Sequence, residues 1–359
     1  MPVEHAFPEP LVYEPASGIH KHTVILLHGR GGSADAFGPA ILNTALPLAN
    51  TSTRTLVCRG PRTDPPARHG MPAEPANNNR PTTLAQVLPH ARFVFPAAPK
   101  QRATVYKRSI TRQWFDDWHL GFTADEVDSR YDLGLQTDGL GRTVAYLHGL
   151  IAQEAALVGG ARDVVLGGIS QGCAASLVAS LLWEGEERLG GVVGMCGWLP
   201  YISQIRGQLK PGADGNQRSS AADKGSEKEA DFDPFDRSAS PGCDAASPGN
   251  IDTRGCVAAA LDWLRGELDM PRRQSAASHV LWSSIPAMMC HGRDDGKVEV
   301  AKGSEAAEFL SALGMGPFCF KEFAGVGHEF SAGMLFGIAK FIQDVLGESS
   351  NQDGMVVTF

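Results

Sequence analysis

The chain alternates short apolar runs with longer stretches in which apolar residues recur every third or fourth position. Residues 23–27 (Thr-Val-Ile-Leu-Leu), 92–96, 163–167, 191–196 and 285–290 are near-continuous apolar runs. Such runs suit parallel strands covered on both faces. Residues 317–323 (Pro-Phe-Cys-Phe-Lys-Glu-Phe) alternate instead and read as an edge-like strand. Helical patterns fall between these runs. Residues 139–157 carry Leu140, Val144, Leu147, Leu150 and Ile151 at spacings near three and four. Residues 171–183, 302–313 and 330–346 are further helices. Strands alternating with helices predict a mainly parallel, three-layer α/β sheet.

Two segments depart from that rhythm. Residues 51–81 are rich in Pro, Asn and Arg, with Asn77-Asn78-Asn79 at the centre, and read as a surface excursion. Residues 203–284 form a long insertion after the fourth strand. Its middle, 211–250, is dominated by Gly, Ser, Ala, Asp, Lys and Pro. That composition buries too little apolar surface to offset the ordering entropy, so disorder is expected there. Residues 252–268 differ: Val257, Leu261, Leu264 and Leu268 recur at helical spacing beside Trp263, and Asp252 or Thr253 supplies a cap. An amphipathic helix is expected, and its apolar stripe needs a partner surface. Two readings of the insertion stay open: a partial lid or apolar wall beside a cleft, and a low-complexity expansion carrying an incidental helix.

The composition narrows the class. With 359 residues and 43% hydrophobic content, a substantial core is expected. The organisation expected is a single domain over 1–359, with its core at about 21–201 and 285–346 and the insertion between them. A net charge of −8 leaves no electrostatic footprint for nucleic acid. No apolar run approaches the roughly 20 residues that span a bilayer. The first ten residues are acidic and proline-rich without an apolar region, and do not read as a signal peptide. The 7 cysteines (58, 173, 196, 243, 256, 290 and 319) are scattered without C-x-x-C pairs. Free thiols and a cytoplasmic location are expected, with Cys173, Cys196 and Cys290 buried.

The chemistry concentrates at Gly168-Ile169-Ser170-Gln171-Gly172, a G-x-S-x-G pentapeptide between an apolar run and a helical one. That context is what a nucleophile elbow requires: a serine in a sharp strand-to-helix turn whose neighbours two positions away are small. A serine hydroxyl needs a base, usually histidine, and a carboxylate that fixes its tautomer. His328, in Gly-Val-Gly-His-Glu-Phe after the last strand, is the base candidate; Asp294 and Asp295, in the turn after 285–290, are the acid candidates. His148 lies mid-helix, and His5, His20, His69 and His279 fall in irregular segments, so all five are weaker competitors. His28 and His291 each precede a glycine at a strand end and are read as packing or hydrogen-bonding beneath the site. The developing oxyanion needs two donors: the backbone N–H of Gln171, and one from His28-Gly29-Arg30-Gly31-Gly32, assigned to Arg30. That glycine-rich loop lacks both phosphate-cradle spacings. Neither H-x-x-x-H nor H-E-x-x-H occurs, so no metal and no cofactor is expected.

With these residues placed, the chain resembles the acyl-protein thioesterase, phospholipase and carboxylesterase family of α/β-hydrolases. Leu26-Leu27-His28-Gly29-Arg30-Gly31-Gly32 resembles the family's first-strand L-H-G motif, Phe95-Pro96-Ala97-Ala98-Pro99 its F-P-x-A-P, and Trp114-Phe115-Asp116 its W-F-D. Gly167 to Cys173 resembles G-G-F-S-Q-G, Gly197-Trp198-Leu199-Pro200 matches G-W-L-P, and His291 to Val298 fits H-G-x-x-D-x-x-V. The resemblance implies the three-layer α/β-hydrolase fold, a Ser170–His328–Asp295 triad with Asp294 as neighbour of the acid, and Trp114 lining the acyl or alcohol side of the cleft. It implies hydrolysis of a carboxylic ester or thioester through an acyl-enzyme, the substrate being a small acyl ester, an S-acylated protein or a lysophospholipid. A lysophospholipase and a non-catalytic hydrolase-like binding protein are the alternatives. Three features depart from the pattern: the long insertion, Gly-His-Glu around His328, and Arg30 where thioesterase members usually carry leucine. The H-G-R-G form resembles a carboxylesterase-like branch.

Overall fold

The computed structural model describes residues 6–47, 82–117, 134–209, 253–271 and 281–347. The expected excursion at 51–81 and the low-complexity stretch at 211–250 lie outside them. The strands are β1 (Leu11–Tyr13), β2 (His22–Leu27), β3 (Ala91–Phe95), β4 (Lys100–Ala103), β5 (Ser109–Arg112), β6 (Val164–Ile169), β7 (Gly191–Met195), β8 (Ala287–Gly292) and β9 (Phe318–Phe323). Seven form one sheet in the order β1-β3-β2-β6-β7-β8-β9, and β4 and β5 form a separate hairpin. Every pairing in the large sheet is parallel except β1 with β3. β9 is the edge strand that its alternation predicts.

The helices are α1 (Ala34–Asn43), α2 (Leu84–Val87), α3 (Thr137–Val158), α4 (Gln171–Leu181), α5 (Ile202–Gln208), α6 (Thr253–Glu267), α7 (Val300–Ala312) and α8 (Ala332–Leu346). Successive side chains of a strand point to opposite faces, and the wholly apolar strands therefore feed two cores. Ile25, Leu27, Val164, Leu166 and Met289 pack with α3, α4, α6 and α7. Val24, Leu26, Val165, Met195, Met288 and Cys290 pack on the other face with α1, α2 and α8. Two of the outer helices begin on serine caps: Ser33 Oγ accepts from Ala36 N at 3.3 Å and Ser331 Oγ from Met334 N at 3.2 Å. Among the described residues, no helix is long and apolar enough to cross a membrane.

The strand expected at 285–290 forms two residues later. Pro286 has no N–H to give a ladder, so pairing begins at Ala287 and extends through His291 and Gly292. This shift places His291 inside the sheet.

The insertion helix α6 also differs from the lid reading. Val257, Leu261, Leu264 and Leu268 are all buried, in the same core as α3 and α4. Arg265, also buried, donates to the Leu182 carbonyl at 3.1 Å and pairs with Glu184 at 3.0 Å. Those partners lie beyond the C-terminal end of α4, at the opposite end of that helix from Ser170. The apolar stripe thus finds its surface in the core. Leu264→Ala is expected to cost about 2–5 kcal/mol, as for other buried leucines; urea unfolding of the two proteins measures it, and a loss under about 1 kcal/mol would contradict this packing.

Candidate active site

Ser170 stands at the turn from β6 into α4 with φ 57° and ψ −123°, a backbone region that costs a non-glycine residue energy. The turn is held on both sides: Ser170 N–H donates to Met195 O at 2.8 Å, and Ser170 O accepts from Ala174 N at 3.0 Å. Glycine is required beside it by close approach. A Cβ on Gly168 would lie 2.6 Å from Leu27 O, and one on Gly172 2.5 Å from the same oxygen and 2.6 Å from His28 O. The two glycines let the elbow press against the end of β2.

His328, from the loop between β9 and α8, bridges serine and acid. Its Nε2 is 2.8 Å from Ser170 Oγ and its Nδ1 is 2.8 Å from Asp295 Oδ2. With Nδ1–H donating to the carboxylate, Nε2 is free to accept the serine proton. The acid and base loops are tied together, Asp294 N–H donating to Val326 O at 3.0 Å. Gly292 permits that approach, since a Cβ there would sit 2.5 Å from Gly327 O. The same turn separates the two aspartates: Asp294 is exposed and Asp295 buried against the histidine.

Four donors converge on Asp295. Lys297 N and Val298 N each donate to Oδ1 at 2.9 Å. Oδ2 takes His328 Nδ1 and lies 3.3 Å from His291 Nε2, which also donates to Val298 O at 2.9 Å. Burial alone would raise the Asp295 carboxyl. The Val298 N–H, the His328 side chain and the Lys297 N–H outweigh it and hold the group below the usual carboxylate value. Burial lowers the fully enclosed His291, which stays neutral.

Cys196, His291 and Asp295 bring one ligand atom each within 4.8 Å of one another, a spacing that a metal ion could bridge. The donor chemistry argues for a hydrogen-bonded support. Burial pushes the Cys196 thiol up to about 11, so it stays protonated instead of offering a thiolate. Its proton faces the carbonyls that bracket His328, Gly327 O at 3.9 Å and Glu329 O at 3.4 Å. Both carboxylate oxygens are already taken.

On the other side of Ser170 lies the loop 28–32. A Cβ on Gly29 would stand 3.8 Å from Ser170 Oγ. His28 is buried, its Nδ1 2.7 Å from Gly29 O and its Nε2 accepting from Ala98 N at 3.1 Å; burial lowers it, so it is neutral. Gly31 N–H donates to Arg112 O on β5 at 2.8 Å. Among the described residues no group accepts the Arg30 N–H. The Gln171 N–H opens α4, where no carbonyl of its own helix can accept it. Both N–H groups are available to a ligand.

Trp114 requires a correction. Its side chain is 0% exposed, and its indole N–H donates to His28 O at 2.7 Å. It supports the loop from below and does not face open space. Of the other histidines, His148 is half-buried between α3 and α4, bonded to Ala179 O at 2.8 Å and lowered by desolvation to about 4. His20 bonds Thr23 Oγ1 at 2.9 Å, at the opposite end of β2. His5, His69 and His279 lie outside the described residues. Sequence reasoning missed Asp117 and the Gln171 side chain. Their polarity inside or beside apolar runs was the available signal.

Comparison with known proteins agrees with this architecture. The family model described as Phospholipase/Carboxylesterase matches residues 68–211. Acyl-protein thioesterase 1 of Yarrowia lipolytica is 30% identical over 201 residues, covering 56% of this chain and 67% of the relative. Carboxylesterase SOBER1 of Arabidopsis thaliana is 32% identical over 143 residues, 39% of this chain and 59% of the relative. The fold is shared with the crystal structure of Zea mays acyl-protein thioesterase 2 (TM-score 0.54, 17% identity), the match covering 94% of this chain and 99% of that one. It is shared also with Arabidopsis thaliana SOBER1 (TM-score 0.51, 20% identity), covering 90% and 99%. The chain belongs to the acyl-protein thioesterase, phospholipase and carboxylesterase family of α/β-hydrolases.

Proposed function

We propose that this chain hydrolyses carboxylic esters or thioesters with Ser170 as nucleophile, His328 as general base and Asp295 as the acid that orients it. The observation that carries the reading is the unbroken line Ser170 Oγ, His328, Asp295, with both links at 2.8 Å. Ser170 Oγ attacks the substrate carbonyl carbon while its proton passes to His328 Nε2. The Arg30 and Gln171 N–H groups receive the oxyanion. His328 then returns the proton to the departing alcohol or thiol, leaving Ser170 acylated. Water, deprotonated by the same Nε2, attacks the acyl carbon; the acid leaves and Ser170 recovers its proton. The anionic Asp295 stabilises the imidazolium at each turn.

Membership of the family makes the chain an ester or thioester hydrolase. The finer reading is a single-domain, cytoplasmic enzyme acting on a small acyl ester, an S-acylated protein or a lysophospholipid. The domain reading is supported by α6, which belongs to the core built by α3 and α4. Among the described residues, Cys173, Cys196, Cys256 and Cys290 form no disulfide, which suits a reducing compartment. The test is labelling with a fluorophosphonate, followed by rates over p-nitrophenyl esters of increasing chain length, an acyl-thioester and a lysophospholipid. Labelling at Ser170 with turnover of the esters or the thioester is expected. An unlabelled protein would mean a hydrolase-like binding protein, and turnover of the lysophospholipid alone would mean a lysophospholipase.

A further inference from the structure

Both oxyanion donors of the proposed reaction are held by their own side chains to one five-residue segment, Gln113-Trp114-Phe115-Asp116-Asp117. Gln171 Oε1 accepts from Trp114 N at 2.9 Å, and Gln171 Nε2 donates to Phe115 O at 2.7 Å. Arg30 Nη2 donates to Asp117 Oδ1. The loop that carries Arg30 is tied to the same segment a second time, through the Trp114 indole N–H on His28 O. The segment is anchored in turn on α3: Thr143 Oγ1 donates to Trp114 O at 2.5 Å, and a Cβ on Gly139 would lie 2.8 Å from Phe115 Cα. Gln113, Trp114, Phe115 and Asp117 are all fully buried.

The two N–H groups come from different strands, Arg30 from the loop after β2 and Gln171 from the turn after β6. Strand pairing sets the distance between β2 and β6 but leaves the loop beyond β2 free to tilt. Gly29, Gly31 and Gly32 give that loop little stiffness of its own. Its orientation is set by what it is fastened to. An oxyanion hole stabilises charge only if its donors already point at the place where charge develops.

We infer that residues 113–117 are a buried brace that fixes the spacing and direction of the Arg30 and Gln171 N–H groups, with the Arg30–Asp117 ion pair as its adjustable end. Asp117 and the Arg30 side chain are therefore positioning residues. This rests on the ester or thioester hydrolase reading above. It also gives Arg30 a role that leucine at this position could not fill, because only a donor side chain reaches Asp117.

The experiment separates holding the loop from holding the fold. Asp117→Leu takes the ion-pair partner from the half-buried Arg30 guanidinium and lowers stability. The double variant Arg30→Met/Asp117→Leu removes both charges and is expected to regain most of the lost Tm. It loses the tether, so kcat for a p-nitrophenyl ester is expected to stay about 10- to 100-fold low, with KM within about twofold, as for a misplacement of up to ~1 Å. Affinity for an alkylboronic acid, whose tetrahedral serine adduct carries the oxyanion charge, is expected to fall in proportion. If the apolar pair does not fold, Asp117→Asn keeps the shape without the charge and is expected to give a smaller drop in kcat at unchanged KM. Recovery of kcat together with Tm in the double variant would overturn the brace, as would full kcat and boronate affinity in Asp117→Asn. A Ser170→Ala control keeps the two readings apart. If that variant keeps more than about a hundredth of the ester turnover, the Ser170 mechanism fails; if it loses it while the tether variants keep full kcat, only the brace fails.

Discussion

Ser170→Ala is expected to lower turnover of a p-nitrophenyl ester about 10⁴- to 10⁶-fold and to abolish fluorophosphonate labelling. The substitution removes one oxygen and nothing else. Its Cβ remains, and the Ser170 N–H and C=O keep their bonds to Met195 and Ala174. The strained φ of 57° is carried by the backbone and penalises serine and alanine alike. Thermal stability is therefore expected to change little, so the loss of rate can be read as chemistry. The remaining rate would come from the Arg30 and Gln171 N–H groups, which still polarise a bound carbonyl while water attacks slowly. A variant that kept more than about a hundredth of the activity would remove Ser170 from the reaction, since no triad loss is that mild.

Asp295→Asn is expected to lower kcat by about 10⁴-fold through the tautomer of His328. The Asn oxygen would keep the Oδ1 position, because Lys297 N and Val298 N both donate there at 2.9 Å. The amide NH2 would then replace Oδ2 and present its protons to His328 Nδ1. Nδ1 can meet a donor only as an acceptor, so the ring proton moves to Nε2, the atom that must take the Ser170 proton. The base is blocked while the fold stays intact. Rates of the purified variant alongside its unfolding curve check this. Activity within about tenfold of the parent would mean that the carboxylate does not set the tautomer.

Legibility varied along the chain for identifiable reasons. Runs such as Thr23 to Leu27 could be read because a strand buried on both faces must be apolar at every position. β1, with three residues, and the polar hairpin β4–β5 carry no such signature. For α6 the stripe Val257, Leu261, Leu264 and Leu268 marked a helix and a buried face, but spacing does not say what the face will meet. It met the core. Trp114 shows the same limit: the resemblance implied that this W-F-D aromatic lines the cleft, whereas its full burial and its N–H on His28 O make it a support.

The sequence by itself determined the order of strands and helices and the elbow around Ser170, because periodicity and the need for small residues at 168 and 172 are local properties. It offered His328 as the base candidate and Asp294 or Asp295 as the acid candidates. The family resemblance chose Asp295 of the two, and in the tertiary structure it is Asp295 that reaches His328 while Asp294 is exposed. The tertiary structure alone set Cys196 against the carbonyls on either side of His328, and joined Arg30 to Asp117 across 87 residues of chain. Such pairings depend on which loop ends meet at the edge of the sheet, and no spacing along the chain records that.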